Sequence, residues 1–94
     1  MSPKEALILE LLVRSDTLYG LELVARSRRR LKRGTVYVTL GRMENKGYVE
    51  SRLEDPPPAA GGLPRRMYTP TAKGRRVFEA WTTVARMLRP EFAR

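Results

Sequence analysis

Ninety-four residues with 41% hydrophobic content are enough for one small domain, whose modest stability margin would rise with a partner subunit. Nineteen Lys and Arg against ten Asp and Glu leave a formal net charge of +9, which favours a polyanionic partner, either nucleic acid or an acidic membrane surface. With no Cys and no His, the composition excludes a disulfide framework, the usual soft-metal sites, and Ser/His/Asp or Cys/His catalysis. No apolar run approaches the ~20 residues that span a bilayer. Met1-Ser2-Pro3-Lys4 does not open a signal peptide, so the expectation is a cytoplasmic protein with no membrane partner, no metal and no cofactor.

Ser2-Pro3-Lys4-Glu5 has the form of a capping box, with a serine to cap, proline at the first helical position and a glutamate to reach back. In the helix that follows, Leu7, Ile8, Leu11 and Leu12 fall on one stripe, and Leu9 and Val13 widen it. Leu7, Ile8 and Leu11 read as core. The surplus at Leu9 and Val13 predicts a contact with a second subunit. Arg14 to Thr17 is a polar break in which Asp16 or Thr17 is placed to cap a second helix, predicted from about Leu18 to Arg29. Its buried stripe would be Leu18, Leu21, Val24 and Ala25, with Glu22 and Arg26 paired on the outside.

Six of the eight residues from Arg26 to Arg33 are basic. Such runs are often only a solvated face, but this one directly precedes a helix with an unusual outer surface, where phosphate contacts would fix the register of a duplex. In RGTVYVTLGRMENKGYV, Val36, Leu40 and Met43 recur at helical spacing as a buried stripe, with Tyr37 and Glu44 flanking it. Gly34, Val38, Gly41 and Asn45 point away, bordered by Thr35, Thr39, Arg42 and Lys46. Small, hydroxylic and basic side chains of this kind suit a helix that enters a DNA major groove. Gly47 ends the helix. On this stretch alone an ordinary amphipathic surface helix followed by a hairpin remains open.

Tyr48 to Leu53 alternates as a strand, the Pro- and Gly-rich segment 54–64 forbids regular structure, and Arg65 to Thr69 reads as a second strand. The pair makes a hairpin whose long tip reads either as a wing over the sugar-phosphate backbone or minor groove or as a linker with no contact, while Arg65 and Arg66 at its root are placed for phosphates. Glu54 and Asp55 would face away from DNA. Thr71 caps a last helix predicted to run to Arg89, with Pro90 ending it. Val77, Phe78, Trp81, Val84, Ala85 and Leu88 form an apolar face too long for so small a domain to cover, and the same helix of a second copy is the simplest cover.

Tyr19-Gly20-Leu21-Glu22-Leu23, Gly34-Thr35-Val36-Tyr37 with Leu40 and Met43-Glu44, Lys46-Gly47-Tyr48-Val49, Pro64-Arg65-Arg66-Met67-Tyr68 and Thr71-Ala72-Lys73-Gly74 together resemble the PadR family of bacterial repressors. The match runs from about Leu7 to Trp81, and its specificity lies in the conjunction of these pieces. The resemblance implies a mainly α fold with a small β-hairpin: a winged helix-turn-helix over residues 1–70, wing about 48–69, then a C-terminal dimerisation helix and tail over 71–94. It implies a tyrosine, here Tyr37, against the DNA backbone and Thr35, Val38, Thr39 and Arg42 toward the groove. Some similar proteins release DNA on binding flat aromatic molecules near the dimer interface. A small aromatic effector is therefore an open partner, with Phe78 and Trp81 read first as dimer core. The chain departs from the family pattern at Lys32, where a capping serine is common, at Val38, where proline is frequent, and in its long wing tip with three consecutive prolines.

The sequence therefore predicts a non-enzymatic regulator that binds double-stranded DNA as a homodimer, reading a pseudo-palindrome. Thr35, Val38, Thr39 and Arg42 are the base-contact candidates. Arg28, Arg29, Arg30, Lys32, Arg33, Tyr37, Lys46, Arg65 and Arg66 are the backbone candidates. Leu9, Val13, Val77, Phe78, Trp81, Val84, Ala85 and Leu88 are the dimer candidates. The rival readings are a winged-helix protein-interaction module with incidental DNA binding and a nucleic-acid enzyme built on Glu50, Glu54 and Asp55, which lack a further ligand or base.

Overall fold

The computed structural model describes residues 1–55 and 64–88. The first helix, α1, spans Pro3–Ser15. The expected box is formed: Ser2 Oγ accepts the Glu5 N–H at 3.2 Å, and Glu5 Oε1 accepts the Ser2 N–H at 2.9 Å. Asp16 at φ 73° closes the helix and so does not cap the next one. α1 lies at the centre of the molecule, packed by every other helix and by the sheet. Leu9, expected at a dimer contact, is 0% exposed within the single chain, because the neighbours of α1 cover both of its flanks. Leu11 and Val13 are only half-buried.

Leu18–Tyr19 form a short strand, β1, and α2 is confined to Gly20–Arg26. The predicted helix starts two residues late because Leu18 and Tyr19 pair antiparallel with Tyr68 and Met67. It stops early because Ser27 Oγ donates to the Val24 carbonyl and accepts the Leu31 N–H, while Arg28 and Arg29 take φ of 54° and 71°. With the start shifted, α2 buries Gly20 and Leu23; Leu21 and Ala25 are exposed and Val24 is half-buried. The expected Glu22–Arg26 pair is replaced: Glu22 accepts the Tyr19 N–H, and Arg26 donates to Ser15 Oγ.

The third helix, α3, spans Arg33–Asn45 and buries Val36, Leu40 and Met43, as its periodicity predicts. Gly47 at φ 78° ends it in a Schellman motif, its N–H on the Glu44 carbonyl and that of Tyr48 on the Met43 carbonyl. Strands β2, Val49–Glu54, and β3, Arg65–Pro70, pair antiparallel with Glu54 opposite Arg65 and Val49 opposite Pro70. The sheet order is β1-β3-β2. The tip of the wing, 56–63, and Arg89 with Pro90 lie outside the described residues.

The last helix, α4, spans Ala72–Leu88. Thr71 Oγ1 accepts the Gly74 N–H at 2.9 Å and donates to the Gly47 carbonyl, so one side chain caps α4 and ties it to the end of α3. Gly74 lies directly against the Tyr48 carbonyl, where a Cβ would meet backbone that cannot move aside. Phe78 packs against the core. Val77, Trp81 and Ala85 are half-buried; Val84 and Leu88 are 53% and 76% exposed. No helix among the described residues is long and apolar enough to cross a membrane.

Candidate nucleic-acid interface

Burial of Val36, Leu40 and Met43 turns the opposite side of α3 outward. Thr35, Val38, Thr39 and Arg42 therefore share one open groove with the start of α1, where Ser2 and Lys4 form the other wall. Thr35 Oγ1 donates to the Lys32 carbonyl at 3.3 Å and Thr39 Oγ1 to the Thr35 carbonyl at 3.1 Å. Each hydroxyl proton is thus used by the helix's own backbone, which leaves lone pairs outward as acceptors. Val38 is 56% exposed and adds an apolar surface, of the type that meets a thymine methyl. Arg42 is exposed and has no salt-bridge partner among the described residues.

Lys32 is the N-cap of α3 and makes no side-chain cap. The Thr35 hydroxyl does not replace the missing serine, since it donates to the Lys32 carbonyl. The Thr35 N–H is taken by the Lys32 carbonyl at 3.1 Å, which leaves the Arg33 and Gly34 N–H groups to an outside acceptor. Gly34 stands in open space there, so nothing crowds the approach. Lys32 and Arg33 are exposed beside it.

The cations predicted to meet a DNA backbone fall into distinct groups. Arg28 and Arg29 are exposed on the turn before α3, both at positive φ. Arg30 instead lines the groove between α1 and α4, beside Phe78 and Trp81. Lys46 is already committed: its Nζ lies 2.8 Å from Glu5 Oε2. Burial acts to raise the Glu5 pKa, but the hydrogen bonds from Lys46 and Ser2 and the Lys46 charge outweigh it and hold the carboxyl below its ordinary value. Lys46 thus ties α3 to α1.

Beyond the other flank of α3, Tyr37 meets the root of the wing. Arg65 and Arg66 share a shallow hollow there with Tyr19, Leu21, Tyr37 and Leu53. The Arg65 guanidinium sits 4.8 Å from the centre of the Tyr19 ring. Arg66 donates to Ser51 Oγ at 3.1 Å, and Ser51 donates to Glu44 Oε2 at 2.8 Å, a relay that links both wing strands to α3. Glu54 is paired with Arg52 at 3.3 Å, so the acidic residue at the strand end has its own cation.

Sequence reasoning missed four contributors. Glu5 was legible as a cap but not as the partner of Lys46, because their meeting depends on how α1 crosses α3. Lys4 opens the chain far from α3 in sequence and stands beside it in space. Tyr19 and Gly20 carried only the resemblance; the strand pairing that brings them to the wing root was not visible in local periodicity.

A comparison with curated protein sequences gives no match. Solved structures match well. A PadR family transcription regulator from Clostridium difficile superposes with a TM-score of 0.80 at 31% identity, covering 93% of this chain and 91% of that one. A PadR family transcriptional regulator from Eggerthella lenta gives 0.72 at 26% identity over 87% and 73%. Bacillus subtilis PadR, solved in complex with operator DNA, gives 0.76 at 23% identity, covering 87% of this chain and 48% of that one; at that identity it speaks for the fold alone. These neighbours identify the mostly helical chain with its small antiparallel sheet as a winged helix. The model of the transcriptional regulator PadR-like family matches residues 8–80. With most of its length matched in this way, the chain belongs to the PadR-like family of transcriptional regulators.

Proposed function

We propose that the protein is a cytoplasmic, non-enzymatic repressor that binds double-stranded DNA sequence-specifically as a homodimer. Two copies of α3 enter successive major grooves of a pseudo-palindrome, about 34 Å apart, and occupancy blocks transcription. Residues 1–70 read the DNA and the helix from Ala72 joins the two copies. The observation that carries this reading is the shared outward face of Thr35, Val38, Thr39 and Arg42, with Lys32 and Arg33 at one end of the helix. Arg28, Arg29, Tyr37, Arg65 and Arg66 are assigned to phosphates. The operator complex of the Bacillus subtilis relative adds support from a chain of the same fold. Support for the homodimer comes from the apolar residues that α4 leaves exposed, which a twofold-related copy would cover. Phe78 and Trp81 are assigned first to the dimer; a small aromatic effector, the open partner, is assigned to the groove that they line between α1 and α4.

The test is selection of bound duplexes from a random library, followed by affinity for the winner and for scrambled DNA across a salt series. An inverted repeat with half-sites one turn apart is expected. Arg42→Ala should then cost about 1–3 kcal/mol on the selected site and relax its sequence preference, with little effect on scrambled DNA. Equal losses on both duplexes would remove Arg42 from base reading. A library that yields no motif, with weak binding at physiological salt, would overturn the reading in favour of a protein-interaction module.

A further inference from the structure

At the wing root the adjacent residues Tyr19 and Gly20, where β1 passes into α2, each hold a residue from a different element. The Tyr19 ring lies under the Arg65 guanidinium of β3, 4.8 Å from ring centre to charge. Gly20 is buried against the Tyr37 ring of α3. A Cβ at Gly20 would overlap ring atom Cε1, stand 2.5 Å from Cζ and reach within 2.7 Å of the hydroxyl oxygen. No carbon can take that place while Tyr37 keeps its position. Tyr37 is nevertheless 46% exposed, so its ring can swing away without disturbing the core.

The geometry points to Tyr19-Gly20 as the positioning pair for one phosphate clamp, Tyr19 steadying Arg65 and Gly20 seating Tyr37, so that wing and reading helix meet the same stretch of backbone. The inference rests on the DNA-binding reading above. Its physical basis is preorganisation: a guanidinium stacked on a ring and a phenol seated on a glycine lose less freedom on binding than free side chains would. Arg66, drawn toward Ser51 and Glu44, is steadied separately, so Tyr19 and Gly20 act on Arg65 and Tyr37 alone.

The test is a double-mutant cycle on the full chain, titrated with a mixed-sequence duplex at low salt. Tyr37→Ala should weaken binding about tenfold, the scale of one hydrogen bond to a charged group. Gly20→Ala should weaken it to a similar extent with an unchanged thermal unfolding midpoint, since only an exposed ring must move. Gly20→Ala placed in the Tyr37→Ala background should cost nothing further, because no ring remains to displace. Tyr19→Leu should weaken binding a few-fold with its salt dependence nearly kept, because the Arg65 charge remains; Arg65→Ala should reduce that dependence by about one charge, and Tyr19→Phe should bind like the wild type because the ring face is kept. Additive losses for Gly20 and Tyr37, or wild-type binding by Gly20→Ala while Tyr37→Ala is weak, would overturn the positioning role and leave DNA binding standing. No binding by the wild-type chain would overturn both.

Discussion

Helices α1 and α4 are both rich in apolar residues, yet they end in opposite situations. Over 13 residues, α1 buries Glu5, Ala6, Leu7, Ile8, Leu9 and Leu12. Over 17 residues, α4 buries only Gly74, a residue with no side chain, and leaves Val84, Met87 and Leu88 in the open. The difference is one of position. α1 lies among α2, α3, α4 and the sheet, whereas α4 packs chiefly on α1, with a smaller contact to β3. An apolar stripe therefore reports that a helix needs covering, and only the surrounding architecture says whether the cover is in the same chain.

The largest effect expected from this contrast is at Leu9. Leu9→Ala should cost about 2–5 kcal/mol, read as a fall in the denaturation midpoint that is the same at all protein concentrations. A cost that grew on dilution would return Leu9 to a subunit interface. Trp81→Ser on the half-buried face of α4 should have a smaller effect on the folded single chain and a clear one on association. Sedimentation should shift from dimer to monomer, and the unfolding midpoint of the variant should lose the concentration dependence expected of the wild type. Unchanged sedimentation would mean that the face is covered by something other than a second copy.

The smallest effect belongs to the charge that α1 buries. The folded-state pKa of Glu5 lies below its ordinary 4.5, so the stability it contributes is complete above that value and is lost as pH falls through the lower, folded value. Titrating the unfolding midpoint with acid should show this loss in the wild type. Glu5→Gln, which removes the titrating group, should flatten that part of the curve. Identical acid profiles for the two chains would separate Lys46 from any stabilising role and return it to the cations free to meet DNA.

Much of the candidate surface on α3 was legible because that helix depends on a local rule. Three buried residues at helical spacing fix which side of the helix faces out, so Thr35, Val38, Thr39 and Arg42 follow from Val36, Leu40 and Met43. Within the basic run the sequence grouped Arg28, Arg29 and Arg30 together, whereas the structure places Arg30 in the groove beside Phe78 and Trp81. Where a turn residue points depends on the positive φ at Arg28 and Arg29 and on the anchor between Ser27 and Leu31. A count of charges carries neither.

What the sequence by itself determined was set by neighbours within a few positions: the Ser2-Glu5 box, the stripe of α3, the Gly47 stop, the Thr71 cap and the two long strands. Tertiary structure alone decided that Leu18 and Tyr19 form a strand, that Leu9 lies inside, that Lys46 is joined to Glu5 and that Gly20 seats Tyr37. Each of these rests on pairing or close packing between segments far apart in the chain, which overrides a local preference worth only a fraction of a kcal/mol per residue.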